Sequence, residues 1–207
     1  MKFTHTRKLR PSAQTGFNLV ELSVALAIVA VLLVGALMGT RQIMMSNMVN
    51  TQTRDAASVI NKVKRLYVNQ TSTSGASTAS LGPQGIWPPE RATVNSATDT
   101  KVVGAITGSN EYIFANTADI GTMTANTGFI YTLNKVQKEA CAELVTALDA
   151  LAFAIYVGAP AAPTTGATPS TTVVKAGDGT LSMANLGTGC AAATADGVSI
   201  AVAFKMR

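Results

Sequence analysis

The chain has 207 residues, 47% of them hydrophobic and 13% charged, with a formal net charge of +5. That length supports one substantial core. The charge is concentrated early: Lys2, Arg7, Lys8 and Arg10 precede residue 16 with no acid among them, leaving 12 of the 16 Lys and Arg against the 11 Asp and Glu. No basic patch survives in that remainder, so direct nucleic-acid binding is not expected.

The first informative segment is Gly16-Phe17-Asn18-Leu19-Val20-Glu21-Leu22, followed by an apolar run to Gly39. From Leu22 to Gly39 the only hydroxyl is Ser23, and there is no charge. The run is long enough to span a bilayer, and the basic flank before it leaves the amino end in the cytoplasm. A carboxylate at the edge of hydrocarbon costs at least about 2.5 kcal/mol, so Glu21 needs a role and a partner. A secretory signal has an apolar region of about 7–15 residues and a small-residue cleavage site. Gly35, Ala36 and Gly39 do not form that site cleanly. A plain signal anchor fits the length but explains neither Glu21 nor the Gly16-Phe17 junction.

A basic leader ending in glycine, then an aromatic residue, then glutamate five positions after the junction resembles a prepilin of the type IV class. The resemblance implies that a membrane-embedded prepilin peptidase cuts between Gly16 and Phe17 and that the new amine is N-methylated. It also implies that Glu21 is the assembly glutamate. The leader would be residues 1–16 and the mature chain residues 17–207, sizes that resemble the type IVb branch more than the short-leader type IVa branch. Phe17 is the usual first residue of the type IVa branch.

Beyond the apolar run, Met45, Val49, Ala56, Ile60, Val63 and Tyr67 recur at helical spacing, with Asn47, Asn50, Arg54, Asp55, Asn61, Lys62, Lys64 and Arg65 on the other face. This is one apolar stripe on an amphipathic helix. No proline lies between Phe17 and Tyr67, so one helix of about 50 residues and about 75 Å is expected. Gly35 and Gly39 have G-x-x-x-G spacing. They fit close helix packing or a soft point that extends during assembly, and equally ordinary glycine tolerance.

Residues 69–100 turn to Ser, Thr, Gly, Ala and Pro, with Gly82-Pro83 and Pro88-Pro89 as breakers, and read as a connecting loop. Trp87 is expected to pack beneath it. Tyr112–Phe114 and Phe129–Leu133 read as strands. Asn134 is placed as the cap of a helix from Lys135 to about Ala152. Short strands follow at Ala154–Val157 and Thr172–Val174, separated by an Ala/Pro/Thr/Gly-rich loop at 158–170. The Asp196-Gly197 turn introduces a last run, Val198–Phe204, apolar on both faces and so expected at the centre of a sheet.

Cys141 and Cys190 are an even pair on the exported side, where a disulfide is the expected state and two buried thiols the alternative. Closing a loop of about 50 residues stabilises by about 4 kcal/mol in the chain-entropy model. Cys141 within Cys141-Ala142-Glu143-Leu144, with its late second cysteine, also resembles the disulfide-bounded region of type IVb pilins.

Enzymatic chemistry has little to work with. The only histidine is His5, which removes His-based triads and His metal sites from the rest of the chain. Bonded cysteines are not nucleophiles. Gly177-Asp178-Gly179 and Gly187-Thr188-Gly189 read as short turns without the lysine of a phosphate loop. Asp178 and Asp196 are expected to be solvated rather than metal-bound.

The expected fold is α+β, with a long amino-terminal helix packed on an antiparallel sheet head and a disulfide-bounded carboxy-terminal region. Its divisions are 1–16 leader, 17–40 transmembrane and assembly helix, 41–68 amphipathic half and 69–207 head, of which 69–111 is a loop region and 141–190 lies within the disulfide. The resemblance implies a structural subunit, a major pilin, in which Glu21 attracts the Phe17 amine of a neighbour. No enzyme activity and no cofactor are expected. The implied partners are other copies of the chain, prepilin peptidase, the pilus assembly machinery and the inner membrane. The implied route runs from inner membrane, with the head in the periplasm, to a surface pilus of a Gram-negative-type bacterium. A minor pilin or secretion pseudopilin is the alternative within this class. A membrane-anchored periplasmic enzyme or binding module is the alternative outside it.

Overall fold

In the computed structural model, the described residues are 18–96, 99–160, 172–177 and 179–206. The expected junction Gly16-Phe17, residues 161–170 of the expected loop, and Asp178 lie outside them. Compact packing divides the chain into two units, Met1–Ile43 and Met44–Arg207. Helix α1, Leu19–Leu66, runs through the division without interruption.

Within the second unit, α1 buries Val49, Gln52, Ala56, Val59, Ile60 and Val63. The steps of three and four place all six on one helical face. This is the expected stripe with two additions, Val59 and the polar Gln52. The stripe packs on a seven-stranded sheet among the described residues, ordered β1-β2-β3-β4-β7-β5-β6. The strands are β1 Ala92–Ser96, β2 Asp99–Val103, β3 Asn110–Ala115, β4 Gly128–Val136, β5 Ala154–Gly158, β6 Thr172–Lys175 and β7 Val198–Lys205. Every neighbouring pair is antiparallel.

Alternation along the strands builds two layers. Phe129, Tyr131 and Leu133 of β4 and Ile200, Val202 and Phe204 of β7 face the α1 stripe in the main core. Ile130, Ala201 and Ala203 face the other way, into a smaller cluster with Ile120, Met123 and Phe153. Both faces of β4 and β7 are therefore apolar, which is why β7, the last strand in sequence, sits in the middle of the sheet. Its entry turn depends on Gly197, whose φ of +93° favours glycine and whose Cβ would lie 2.4 Å from the Val136 carbonyl oxygen.

Three expectations are corrected. Residues 69–100 are not a loop throughout. Ser77 and Ser80 form a reciprocal capping box at the start of a one-turn helix, α2, Thr78–Leu81. A 3-10 turn with Pro83 follows, and then the β1–β2 hairpin. A serine in place of the usual Glu or Gln, and an edge strand of mostly small and polar residues, carry no periodic apolar signal. Trp87 does pack beneath this segment: it is 3% exposed and stacks on Tyr131 with ring centroids 6.3 Å apart.

Asn134 does not cap a helix. It lies in β4, which continues to Val136 through an irregularity in its pairing with β7. Lys135 takes a φ of +61° there, and Asn134 Oδ1 accepts the Lys135 N–H at 3.0 Å. Helix α3 begins later, at Lys138–Leu148, and a 3-10 turn extends it to Leu151. A cap-forming residue beside a strand bulge has the same sequence signature as a true helix start.

Gly187-Thr188-Gly189 is not a turn but part of helix α4, Met183–Ala191, capped by Ser182. A Cβ on Gly189 would stand 2.9 Å from Val157 Cβ, so this glycine lets α4 seat closely on β5 rather than break the chain. Cys190, also in α4, bonds Cys141 of α3 with Cα atoms 5.9 Å apart. The bridge therefore joins two helices on the same side of the sheet, immediately before the turn into β7.

Replacing Cys141 by serine opens a loop spanning 49 residues and should destabilise the head by about 2–4 kcal/mol. Equilibrium denaturation of the wild-type and Cys141→Ser proteins measures this. Coincident transitions would show the bridge to be without structural effect.

Candidate assembly helix and head surface

Helix α1 starts cleanly. Asn18 precedes it, and its Oδ1 accepts the Val20 N–H at 3.3 Å while its backbone carbonyl accepts the Leu22 N–H at 3.1 Å. This is N-cap chemistry. Glu21 occupies the first turn, where the unpaired N–H groups favour a negative charge. Among the described residues no lysine or arginine forms an ion pair with it.

Residues 22–44 are all exposed. Leu19, Leu26, Val31, Leu32, Leu37 and Met38 are all more than 60% exposed. The helix is long and apolar enough to cross a membrane, and none of its most apolar window is buried. An all-round apolar helix is stable only inside lipid or among other helices. Its few hydroxyls are satisfied within the helix: Ser23 Oγ donates to the Val20 carbonyl at 2.8 Å and Thr40 Oγ1 to that of Leu37 at 3.0 Å. Gly35 and Gly39 have open space at their Cβ positions, so nothing within the subunit requires glycine there.

In the head, the part of α1 from Met44 onward is fixed by polar groups as well as by its apolar stripe. Ser46 Oγ donates to Glu143 Oε1 of α3 at 3.1 Å. Deeper in, the Gln52 amide is fully used: Nε2 donates to Glu111 Oε1 at 2.9 Å and to Tyr131 Oη at 3.1 Å, and Oε1 accepts the Ala105 N–H at 2.6 Å. Tyr131 Oη donates to Glu111 Oε2 at 2.7 Å. Arg91 Nη1 donates to Glu111 Oε1 at 3.5 Å, and its Nη2 pairs with Asp55. The sequence held the signal for these residues. Gln52 falls on the apolar stripe between Val49 and Ala56, and Glu111 shares the inward face of β3 with Ile113 and Ala115. A polar residue at an inward position is either an error of register or part of a buried network.

The surface shows no catalytic arrangement among the described residues. No three His, Cys, Asp or Glu side chains come together to hold a metal. The larger surface depression, about 580 Å³, is lined by Lys135, Lys138, Glu139, Thr194 and Asp196 among others, a mixed-charge solvated rim. Asp196 lies in the exposed turn closed by Thr194 and Gly197.

Neither a protein-family model nor a curated protein sequence matches this chain. The structure does match solved ones. The type IVb pilin from Salmonella typhi aligns over 75% of this chain and 99% of its own, with a TM-score of 0.52 and 15% sequence identity. TcpA, a type IV pilin from Vibrio cholerae El Tor biotype, aligns over 76% of this chain and 98% of its own, with a TM-score of 0.48 and 14% identity. The chain therefore has a type IV pilin fold: the long amino-terminal helix, the antiparallel sheet and the carboxy-terminal disulfide.

Because open space surrounds both glycine Cβ positions, Gly35→Ala and Gly39→Ala should each preserve folding of the subunit and raise helix propensity by about 1 kcal/mol. Circular dichroism in detergent checks this. A fall in helix content or in the melting temperature of the head would show a contact within the subunit that needs glycine.

Proposed function

We propose that this chain is the structural subunit of a type IV pilus, made as a prepilin and cut between Gly16 and Phe17 by a prepilin peptidase. The observation that carries this reading is Glu21: a carboxylate in the first turn of an exposed apolar helix, with no ion-pair partner among the described residues. The pilin fold of the head supports the same reading.

Before assembly, lipid of the inner membrane covers the apolar part of α1 and the head lies in the periplasm. Cleavage creates a cationic amine at Phe17, which is then methylated. Glu21 and the Phe17 amine of a neighbouring copy are each costly alone in a poorly hydrated environment, and tolerable as a pair. The pairing sets the register between copies, while packing of residues 19–39 supplies most of the cohesion. The assembly machinery moves each subunit from membrane to filament, and the filament emerges at the cell surface. There its heads, with the 69–100 and 158–189 segments, are available for adhesion, aggregation or conjugative contact. The retained Glu21 favours a major subunit over a tip-initiating minor one.

Glu21→Ala removes one charge and leaves the apolar helix and the head unchanged. The variant should accumulate as processed, membrane-inserted protein, and surface filaments should fall at least tenfold by electron microscopy of sheared material. Filaments in normal number would eliminate the charge-pairing mechanism. Failure of processing at the Gly16-Phe17 junction in the wild-type chain would eliminate the prepilin reading itself.

A further inference from the structure

Where α1 meets the sheet, Gln52, Glu111 and Tyr131 are almost wholly buried, while Arg91 and Asp55 close the cluster toward solvent with 14% and 18% of their side chains exposed. Apolar side chains of similar volume would hold the helix at least as firmly. What the polar set adds is a charge imbalance. One guanidinium stands between two carboxylates: with both ionised the cluster carries one net negative charge, and with one proton bound it is neutral.

The geometry decides where that proton goes. Asp55 pairs with Arg91 and keeps 18% of its side chain exposed, whereas Glu111 lies 3.5 Å from the guanidinium and has a side chain only 1% exposed. A proton on Glu111 Oε2 faces the Tyr131 oxygen at 2.7 Å, so that hydrogen bond persists with its direction reversed. The groups around Glu111 are few. Asp55 and Gln52 come from α1, Arg91 from the residue before β1, and Tyr131 from β4. Val102, its partner across the β2–β3 pairing, is apolar.

We propose that these five residues form a proton-operated clamp between α1 and the sheet, tightest when Glu111 holds a proton and looser when it is ionised. Burial pushes the Glu111 carboxyl above its ordinary range, against the hydrogen bonds from Gln52 and Tyr131 and the charge of Arg91, which act the other way. Burial, and then the Glu111 charge, hold the Tyr131 phenol well above its ordinary value, so it keeps its proton. The sign follows directly. A carboxyl whose folded value is raised binds more protons in the native than in the unfolded state. Its contribution to stability is therefore present in acid and lost as pH rises from the ordinary carboxylate range through the raised value. This is the reverse of ordinary acid denaturation. It would hold the head together in acidic surroundings and ease α1 on the sheet as pH rises.

The test is thermal unfolding of the full chain in nonionic detergent between pH 4 and 8, comparing wild type with Glu111→Gln. Glutamine keeps the shape and cannot ionise, so all other titrations cancel in the difference. The melting temperature of the variant relative to wild type should rise by about 2–4 °C or more from the acid to the alkaline end. A difference that is constant with pH, or that falls, overturns the proposal. If glutamine at 111 prevents folding, Asp55→Asn supplies the check, because an ionised Glu111 then forms a neutral pair with Arg91. The wild-type chain should lose more stability than Asp55→Asn between pH 5 and 8, and equal losses overturn the proposal. Hydrogen exchange gives the local readout: after correction for intrinsic rates, amides of residues 44–66 should be better protected in acid, and the absence of such a trend also overturns it.

Discussion

One helix here serves two environments, and the rest of the structure follows from that constraint. From Leu22 to Gly39 α1 presents uncharged, almost wholly apolar side chains on every side, and residues 45–66 present one apolar stripe and one polar face. The backbone hydrogen bonding is continuous across the change. What differs is only which solvent each stretch tolerates. The first stretch is incompatible with water and must be covered by lipid or by like helices. The second is incompatible with lipid, because Gln52, Asp55 and the charged outer face need either water or the head. A chain built this way has a head with its own apolar core and, at its other end, an exposed apolar surface that is unfavourable in water.

The head meets its half of the demand with a sheet whose central strands, β4 and β7, are apolar on both faces. β7 is the last strand, so the sheet closes only when the carboxy-terminal segment inserts between β4 and β5. The α3–α4 disulfide and the glycine contact between α4 and β5 hold the segment that precedes it. Long-range pairing of this kind is slow to form, and a cross-link that confines the late segment reduces the conformations it must search. Inside this frame the Gln52–Glu111–Tyr131 cluster fixes one rotation and one axial position of α1. An apolar stripe alone tolerates slippage by small steps, but the polar contacts that Gln52 and Asp55 make with the head are satisfied only in one seat.

The sequence made the long helix, its stripe, β3, β4, β5, β6 and the central place of β7 legible, because each is a long or strongly patterned apolar run. The elements it concealed share a physical cause. In α2, β1 and α4, hydroxyl caps, small residues and close backbone packing do the work that apolar periodicity does elsewhere. Asn134 misled because an Asx side chain satisfies a bulged strand and a helix start equally well. Glu21 stood out because a carboxylate beside an apolar run is costly wherever it sits. Gln52 and Glu111 are legible only as polar residues at inward positions; their pairing, across 59 residues of sequence, is not.

In the proposed function the apolar half of α1 is released from a leader and then covered by other copies of itself. Intact-mass analysis of protein sheared from the cell surface tests it most directly. The account predicts a mass corresponding to residues 17–207, with one added methyl group and two hydrogens removed by the Cys141–Cys190 bond. Full-length chain retaining Met1, or no chain in the sheared fraction, would contradict it.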